Sequence, residues 1–193
     1  MNIYFGKKLP ITTCQIYDNE RKKFVKATCY EYDCKDKSDI AEIKKIDDEW
    51  TYKEETLDNM KRKFTANKNG LHSDIAIFSL ENEQGEILGL CNAENKKRAM
   101  EVRFLESKQD GKHKFVGQTL LASIGKEMLK NKQQKEFVIK TAIASAYDFY
   151  EKTCGFVMDS IFNSDLRMGR IQTYKFIKQT QERTQSPIID LKV

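Results

Sequence analysis

Histidine is scarce in this 193-residue sequence, and its five cysteines are scattered and odd in number. Only two histidines occur, far apart in the chain, which argues against Ser-His-Asp or Cys-His catalysis. An odd set of cysteines cannot pair completely, and four residues rather than two separate Cys29 from Cys34, so a zinc site would be unusual. No HExxH pair and no GxxxxGK[ST] loop occurs. We expect reduced thiols in a core or in loops, and no metal.

Proline and long apolar runs are also rare. With two prolines, 39% hydrophobic and 33% charged residues, the composition is that of a soluble globular protein. No apolar run approaches the roughly 20 residues of a membrane-spanning helix, and the opening MNIYFGKKLP lacks the apolar stretch of a secretory signal. We expect a cytoplasmic protein with no membrane partner. The length suits one domain over 1–193, with a core at about 24–178, an N-terminal extension at 1–23 and a weakly structured tail at 179–193.

The net charge of +5 is unevenly distributed. Residues 31–58 hold eleven acidic residues against five lysines, a balance of −6, so the remainder of the chain carries +11. A basic remainder fits a nucleic acid, an anionic cofactor, or only a lysine-rich codon bias. Because the lysines stand singly between acids and no surface of interleaved aromatic and basic residues is evident, we predict no nucleic-acid partner.

Hydrophobic periodicity predicts a mixed order of strands and helices with an N-terminal hairpin. The first helix is expected to begin at a capping box formed by Asp39 and Glu42 and to reach Trp50. Gly125, inside a later helix, suggests close packing against a neighbour. The predicted strands are 12–17, 24–32, 75–80, 86–91, 100–105, 136–143, 156–162 and 170–178, and the predicted helices are 39–50, 56–64, 118–130 and 146–152, the last of them stopped at Gly155.

Residues 111–121, GKHKFVGQTLL, have the character of an anion-binding turn. They are basic, follow a strand and open a helix at Gln118. A helix N-terminus leaves backbone N–H groups unpaired and carries about half a positive charge. Lys112 and Lys114 add full charges, and Gly117 permits close approach of a ligand. Taken alone, the pattern is also that of a solvated basic loop.

With a second block, this loop resembles the GNAT superfamily of acyl-CoA-dependent N-acyltransferases. The family's pyrophosphate loop, Q/R-x-x-G-x-G/A, is matched by Lys112-His113-Lys114-Phe115-Val116-Gly117. The family block A-x-x-F-Y-x-K-x-G-F is matched by Ala146, Phe149, Tyr150, Glu151 and Lys152, with one residue more than usual before Gly155-Phe156. The resemblance covers about 24–178. It implies an α+β fold with a central, mostly antiparallel mixed sheet flanked by helices, here with an extra N-terminal hairpin.

Two positions depart from the family's loop. Lys112 replaces the Gln or Arg, and Phe115 replaces the first glycine. The glycine gives the pyrophosphate access to the backbone, and lysine lacks the planar geometry of arginine. If the loop backbone is right-handed, Phe115 can pack into the sheet at little cost, and we expect CoA binding to survive.

The resemblance implies direct acetyl transfer from acetyl-CoA to a primary amine, without a metal. Tyr150 would protonate the leaving sulfur, since a phenol with a pKa of about 10 is protonated at neutral pH; the alternative is a core tyrosine. Glu101 is either the general base or a solvated strand carboxylate, and Glu106 is a weaker candidate base. The predicted CoA-binding residues are Leu105, Glu106, Ser107, Lys112, His113, Lys114, Phe115, Val116, Gly117 and Gln118.

The acceptor is less closely defined by the sequence. In this family the first two helices lie over the acceptor side, and here they coincide with an acidic segment that surrounds an aromatic. Such a segment suits a cationic amine, either a small molecule or a protein lysine, although an exposed helix face is the alternative. A non-catalytic CoA-binding or regulatory module is the alternative function, and a monomer or a homodimer fits either. The acidic segment comprises Asp47, Asp48, Glu49, Trp50, Glu54 and Glu55.

Overall fold

The structure, a computed structural model, describes residues 8–35, 37–46, 50–140, 142–160 and 163–186. The strands are β1 (Leu9–Asp18), β2 (Lys23–Glu31), β3 (Ile75–Asn82), β4 (Ile87–Asn95), β5 (Ala99–Ser107), β6 (His113–Lys114), β7 (Glu136–Ile139), β8 (Val157–Ser160) and β9 (Asn163–Gly169). The helices are α1 (Lys37–Lys44), α2 (Lys53–Lys68), α3 (Val116–Lys130) and α4 (Arg170–Thr184), with a 3₁₀ turn at Ala144–Ala146 and a π-helix at Phe149–Cys154. None of these helices within the described ranges has the length and apolar character of a membrane span.

All the strands belong to one sheet of order β6-β1-β2-β3-β4-β5-β7-β9-β8. Neighbouring strands pair antiparallel, except that β5 and β7 pair parallel through 99–102 and 136–139. The predicted N-terminal hairpin is formed by β1 and β2, and β1 also pairs with the short β6. The prediction of an α+β fold with a mostly antiparallel mixed sheet is confirmed.

The sheet has a hydrophobic core on each face because successive residues of a strand point to opposite sides. In β3, Ile77 packs into one core and Phe78 into the other. The larger core includes Leu120 of α3 and Phe176 of α4, whereas the smaller core includes Met60 of α2. Burial of one such side chain contributes about 1.5–3 kcal/mol. A register shift of one residue would therefore be costly in every strand.

The prediction of a closing strand at 170–178 is wrong, as is that of weak structure at 179–184, while residues 187–193 of the predicted tail lie outside the described residues. The last strand is β9, and Arg170 begins α4, which continues to Thr184. The β-branched and aromatic residues of RIQTYKFIK favour a strand when they are judged by propensity. The helix is hidden because its buried face is largely polar and carries little apolar periodicity. This buried face consists of Thr173, Phe176, Ile177, Thr180, Gln181 and Thr184.

The two long helices of the larger core cross at Gly125 of α3. A Cβ added at Gly125 would lie 3.0 Å from Cγ2 of Thr173 and 3.6 Å from Cδ1 of Ile177, both on α4. The first distance is shorter than ordinary van der Waals contact. The close packing that Gly125 predicts is confirmed, and its partner is a helix absent from the sequence prediction.

The first predicted helix is wrong in its start and in its length. Because α1 begins at Lys37, Asp39 lies inside the helix rather than at its N-cap, and its carboxylate accepts a hydrogen bond from the backbone N–H of Cys34 at 2.9 Å. The helix ends at Lys44, and Trp50 is buried outside it. Residues 47–49 of the predicted helix lie outside the described residues.

The five cysteines are free and buried, as the sequence predicts. Burial raises the pKa of the Cys14, Cys34 and Cys154 thiols to about 12. A thiol with so high a pKa is almost wholly protonated at neutral pH and is a poor nucleophile. The cysteines therefore act as small hydrophobic residues of the two cores.

Candidate active site

A cleft opens where β5 and β7 separate. The two strands pair as far as Val102 and Ile139, and the backbone N–H of Lys140 donates to the Val102 carbonyl at 2.8 Å. Beyond this point β5 continues to Ser107 without β7 beside it. The separation exposes one edge of β5 to a cavity of about 780 Å³ that also borders the start of α3 and the π-helix.

Nine of the ten predicted CoA-binding residues line this cleft. The exception is Lys112, which lines a neighbouring pocket, with its Nζ 3.6 Å from Oε1 of Glu20. Gln118 lines the cleft but directs its buried side chain to α4, where Nε2 donates to Oγ1 of Thr180 at 3.1 Å. The cleft-lining residues of the predicted set are Leu105, Glu106, Ser107, His113, Lys114, Phe115, Val116, Gly117 and Gln118.

The N-terminus of α3 points its unpaired backbone groups at the cleft. The N–H of Thr119 donates to the Phe115 carbonyl at 2.8 Å and begins the helical pattern. The preceding N–H groups, from Val116 to Gln118, have no acceptor inside the helix. No side chain in the described part of the chain caps this end. The partial positive charge of the helix is therefore available to an anion in the cleft.

Phe115 stands at this N-cap with a left-handed backbone, φ 69° and ψ 9°. The condition of a right-handed backbone, under which Phe115 would pack into the sheet at little cost, is therefore not met. Phe115 keeps the type of conformation that glycine adopts without cost, although its Cβ makes that conformation unfavourable by about 1–2 kcal/mol. Its half-buried side chain lines the cleft. A strained residue of this kind is a common feature of ligand-binding turns.

The N-terminal hairpin holds the loop that leads into α3. His113 and Lys114 form β6, which pairs with Asp18 and Tyr17 at the end of β1. The backbone N–H of Asn19 donates to the Lys112 carbonyl at 2.7 Å, and its Nδ2 donates to the Gly111 carbonyl at 2.7 Å. Four successive residues of the loop are thus tied to β1 and the turn that follows it.

Tyr150 lies in the π-helix and lines the cleft with a side chain that is 7% exposed. Its ring packs edge-on against Phe149 and Phe156. Burial raises the pKa of the phenol above its ordinary value. The hydroxyl is therefore protonated at neutral pH, and no described residue hydrogen-bonds it. Tyr150 is both a core residue and a wall of the cleft, so the two alternatives for it are compatible.

The π-helix accounts for the extra residue in the second sequence block. A π-helical turn contains more residues than an α-helical turn and closes with i→i+5 hydrogen bonds. Here the N–H of Gly155 donates to the Tyr150 carbonyl, five positions earlier, and Gly155 ends the turn with φ 81°. The wider turn absorbs one inserted residue while Phe149 and Tyr150 still face the cleft.

The two candidate general bases lie in different places. Glu101 is outside the cleft, with Oε2 3.5 Å from the Arg103 guanidinium. It precedes Leu105 by four positions, or roughly 13 Å along the strand. Glu106 does line the cleft, but its two carboxylate oxygens accept hydrogen bonds from the backbone N–H groups of Thr51, at 2.8 Å, and Tyr52, at 3.0 Å. The structure therefore does not bring Glu101 together with Tyr150.

Several residues of the cleft were missed by reasoning from the sequence. Tyr52, whose ring stacks on Phe104 at 4.5 Å between centroids, forms the wall nearest α2. Arg183 reaches the cleft from the last turn of α4. The helical spacing of Thr173, Phe176 and Thr180 is the signal that could have placed Arg183 in a helix.

The described residues of the acidic segment do not line the cleft. Glu54 and Glu55 are exposed on α2 and lie outside the cleft, and Trp50 is buried in the smaller core. The remaining members, Asp47, Asp48 and Glu49, lie outside the described residues. Trp50 therefore has no open ring face for a cation, and the prediction of a cationic acceptor finds no support in the described part of the segment.

The described residues contain no cluster of three or more His, Cys, Asp or Glu side chains that could hold a metal ion. Comparison with known protein families finds no matching family model, and comparison with curated proteins finds no match.

Solved structures do show the same fold. The spermidine/spermine N-acetyltransferase SpeG from Vibrio cholerae is similar with 16% identity and a TM-score of 0.55, over 77% of this chain and 98% of that chain. The toxin–antitoxin complex AtaTR bound with acetyl-CoA matches with 13% identity and a TM-score of 0.51, over 69% and 88% of the two chains. A KacTA–DNA complex matches with 13% identity and a TM-score of 0.51, over 67% and 83%. The chain has the fold of the GNAT acetyltransferases.

Proposed function

We propose that this protein transfers an acetyl group from acetyl-CoA to a primary amine. The observation that carries the proposal is the presence, in one cleft, of an uncapped helix N-terminus and a protonated tyrosine hydroxyl. The first is a site for phosphate, the second a site for proton donation. The similarity in fold to SpeG and to a complex bound with acetyl-CoA supports the same conclusion.

The residues of the cleft fit the parts of acetyl-CoA. The N–H groups of Val116 to Gln118 would hold the diphosphate, and Lys114 would add a positive charge beside them. The free edge of β5 offers the backbone groups of Leu105, Glu106 and Ser107 to the pantetheine and acetyl portions. The buried Gln118 side chain, already bonded to Thr180, would contribute only its backbone.

Acetyl-CoA supplies an activated acetyl group as a thioester, whose carbon–sulfur bond breaks as the bond to the amine nitrogen forms. Tyr150 holds the proton that the departing sulfur needs and regains one from solvent. The amine must lose one proton, and the position of Glu101 outside the cleft favours water as the acceptor of that proton. The role of Glu101 as a base stays a prediction.

A second candidate function is a CoA-binding module without catalysis. The position of Glu101 favours it, because the predicted base and the predicted acid do not share the cleft. A measurement of acetyl transfer distinguishes the two functions, whereas a measurement of CoA binding does not. Both predict thermal stabilisation by CoA, whereas only the enzyme releases free thiol from acetyl-CoA in the presence of an amine.

The test is a pair of measurements on the full chain. Thermal melting with acetyl-CoA, desulfo-CoA and ATP measures binding, and a thiol assay with a panel of amines measures transfer. Tyr150→Phe should slow thiol release by about 100-fold and leave the stabilisation by acetyl-CoA unchanged. Tyr174→Phe, a half-buried tyrosine of α4 outside the cleft, is the matched control and should retain activity. Equal activities of the two variants would exclude Tyr150 as the acid.

Several statements about the protein stay predictions. They are the acceptor, the cytoplasmic location, the oligomeric state, the single-domain organisation over 1–193, the absence of a metal and the absence of a nucleic-acid partner. A panel containing polyamines, aminoglycosides and lysine peptides tests the acceptor class. Salt-dependent binding to RNA or DNA would contradict the prediction that no nucleic acid is bound.

A further inference from the structure

The C-terminal turn of α4 lies beside the first turn of α3. Gln118 of α3 is hydrogen-bonded to Thr180 of α4, and Gly125 of α3 packs against Thr173 and Ile177. As the residue number increases along α3, the number of the contacting residue on α4 decreases, so the two helices run antiparallel. The end of α4 is therefore placed next to the helix N-terminus that faces the cleft.

Arg183 is exposed on this last turn of α4 and lines the cleft together with Lys114, Phe115 and Thr153. Of the described arginines, it is the one that borders the cleft. Its guanidinium has no ion pair with a carboxylate of the described residues. A positive group with no carboxylate partner among the described residues thus borders the cleft, near the end of α3 where backbone N–H groups are also unpaired.

A simpler account of Arg183 is an interaction with its own helix. A cation in the last turn of a helix is favoured by the helix dipole. That account applies equally to any basic residue at the end of α4 and does not require the side chain to line a cavity. It predicts an effect of Arg183 on folding stability and none on the affinity for a ligand.

We propose that Arg183 binds a phosphate group of acetyl-CoA, so that the phosphate end of the substrate is held between two helices. The N–H groups of α3 would act from one side and the guanidinium of α4 from the other. Arginine suits this role because its planar fork donates two parallel hydrogen bonds to phosphate oxygens. The inference rests on the proposed function, since it takes acetyl-CoA as the ligand of the cleft.

The experiment is calorimetric titration of the full chain with acetyl-CoA. Arg183→Met should weaken binding by about tenfold, the loss expected for one charge-assisted hydrogen-bonded contact at a partly exposed site. Arg183→Lys should lie between this variant and the unaltered protein, because it keeps the charge and loses the fork. Lys175→Met is the matched control. It removes one charge from an exposed position of the same helix outside the cleft, and it should change the Kd less than twofold.

A second ligand, 3′-dephospho-CoA, identifies the phosphate. If Arg183 contacts the 3′-phosphate, removal of that group weakens binding to the unaltered protein and does not further weaken binding to Arg183→Met. If it contacts the diphosphate, the substitution weakens binding of both ligands equally. Either result supports the inference.

Equal affinities of Arg183→Met and Lys175→Met for acetyl-CoA would overturn the inference while leaving the proposed function intact. If the unaltered protein does not bind acetyl-CoA, that result contradicts the proposed function, and the inference about Arg183 fails because it depends on that function. Melting of each variant without ligand monitors folding. Arg183→Gln, which keeps a long polar side chain, carries the same expectation if the methionine variant does not fold.

Discussion

The ring of Phe149 lies against Gly117, so that a Cβ at position 117 would be 3.5 Å from Cζ of the ring and 3.8 Å from Cδ2 of Leu105. Both distances are ordinary van der Waals contacts. The packing of the protein alone therefore does not require a glycine at 117. The approach of a ligand to the helix N-terminus would require one, because a Cβ there occupies the space beside the unpaired N–H groups.

Gly117→Ala is accordingly expected to separate binding from folding. The free energy of unfolding should stay the same or rise by up to about 1 kcal/mol, since alanine is the better helix former. The Kd for acetyl-CoA should increase by about tenfold, because the added methyl group crowds the ligand. Urea unfolding without ligand and calorimetry with acetyl-CoA measure the two effects. Unchanged affinity would argue against a diphosphate at this helix end.

Gly125→Ala should show the opposite behaviour, although it is the same substitution in the same helix. A Cβ there meets Cγ2 of Thr173 at 3.0 Å, so the buried Thr173 side chain, or α4 with it, must yield by a few tenths of an ångström. We expect a loss of about 1–3 kcal/mol in the free energy of unfolding. The folded fraction should still bind acetyl-CoA with nearly unaltered affinity. A variant as stable as the original would show that the helices are not in close contact at this crossing.

Phe115 tests whether backbone strain is stored in the loop. Phe115→Gly and Phe115→Ala both remove the ring, but only the alanine variant keeps a Cβ in the left-handed conformation. The glycine variant should therefore be more stable than the alanine variant by about 1 kcal/mol, which is the reverse of the order in an ordinary helix. Urea denaturation of the pair measures this difference. Greater stability of the alanine variant would show that position 115 is right-handed.

Stability in alkali should depend on the buried thiols. Burial raises the pKa of Cys154 to about 12 from an ordinary value of 9.0. Between these values the unfolded chain loses a proton that the folded chain keeps, so the free energy of unfolding falls as the pH rises. The contribution of the buried Cys154 thiol to the free energy of unfolding is fully present below pH 9.0 and is lost as the pH rises towards 12.

Cys154→Ala removes this contribution. The variant should lose less stability than the original protein between about pH 9 and 11, by up to 1.4 kcal/mol for each pH unit. Urea unfolding at about pH 8, 9.5 and 11 gives the slopes. The cavity left by the sulfur appears as an offset already present at pH 8 and does not alter the comparison. Parallel slopes for the two proteins would contradict the assignment of a raised thiol pKa.

The central elements of the fold could be predicted from the sequence because their burial pattern is visible in residue type. In β5, Met100 and Val102 are buried and Arg103 is exposed, and the leucines of α3 recur at helical spacing. The second helix of the smaller core follows from Leu57 and Met60 in the same way. In contrast, α4 buries threonine and glutamine against α3. No hydropathy pattern records such a face, and its partner surface is remote in sequence.

In the candidate site, too, features set by neighbouring residues could be predicted from the sequence, whereas features set by distant parts of the chain could not. The loop from His113 to Gln118 could be recognised because its residue order is local and because the second block, at 146–156, supports the same family resemblance. The placement of Glu101 outside the cleft that Tyr150 lines could not be predicted, since it depends on where β5 and β7 stop pairing. The handedness of Phe115 likewise depends on the loop's attachments to β1 and on the start of α3, and these attachments join parts of the chain that are far apart in sequence.

The pairing of β6 with β1 makes the first strand a support for the loop that leads into α3. If the chain were trimmed to begin at Phe24, Tyr17, Asp18 and Asn19 would be lost, and the loop would lose the strand pairing and the two hydrogen bonds that they make to it. The position of the loop to which we assign the diphosphate of acetyl-CoA is therefore set in part by residues about 90 positions earlier in the sequence.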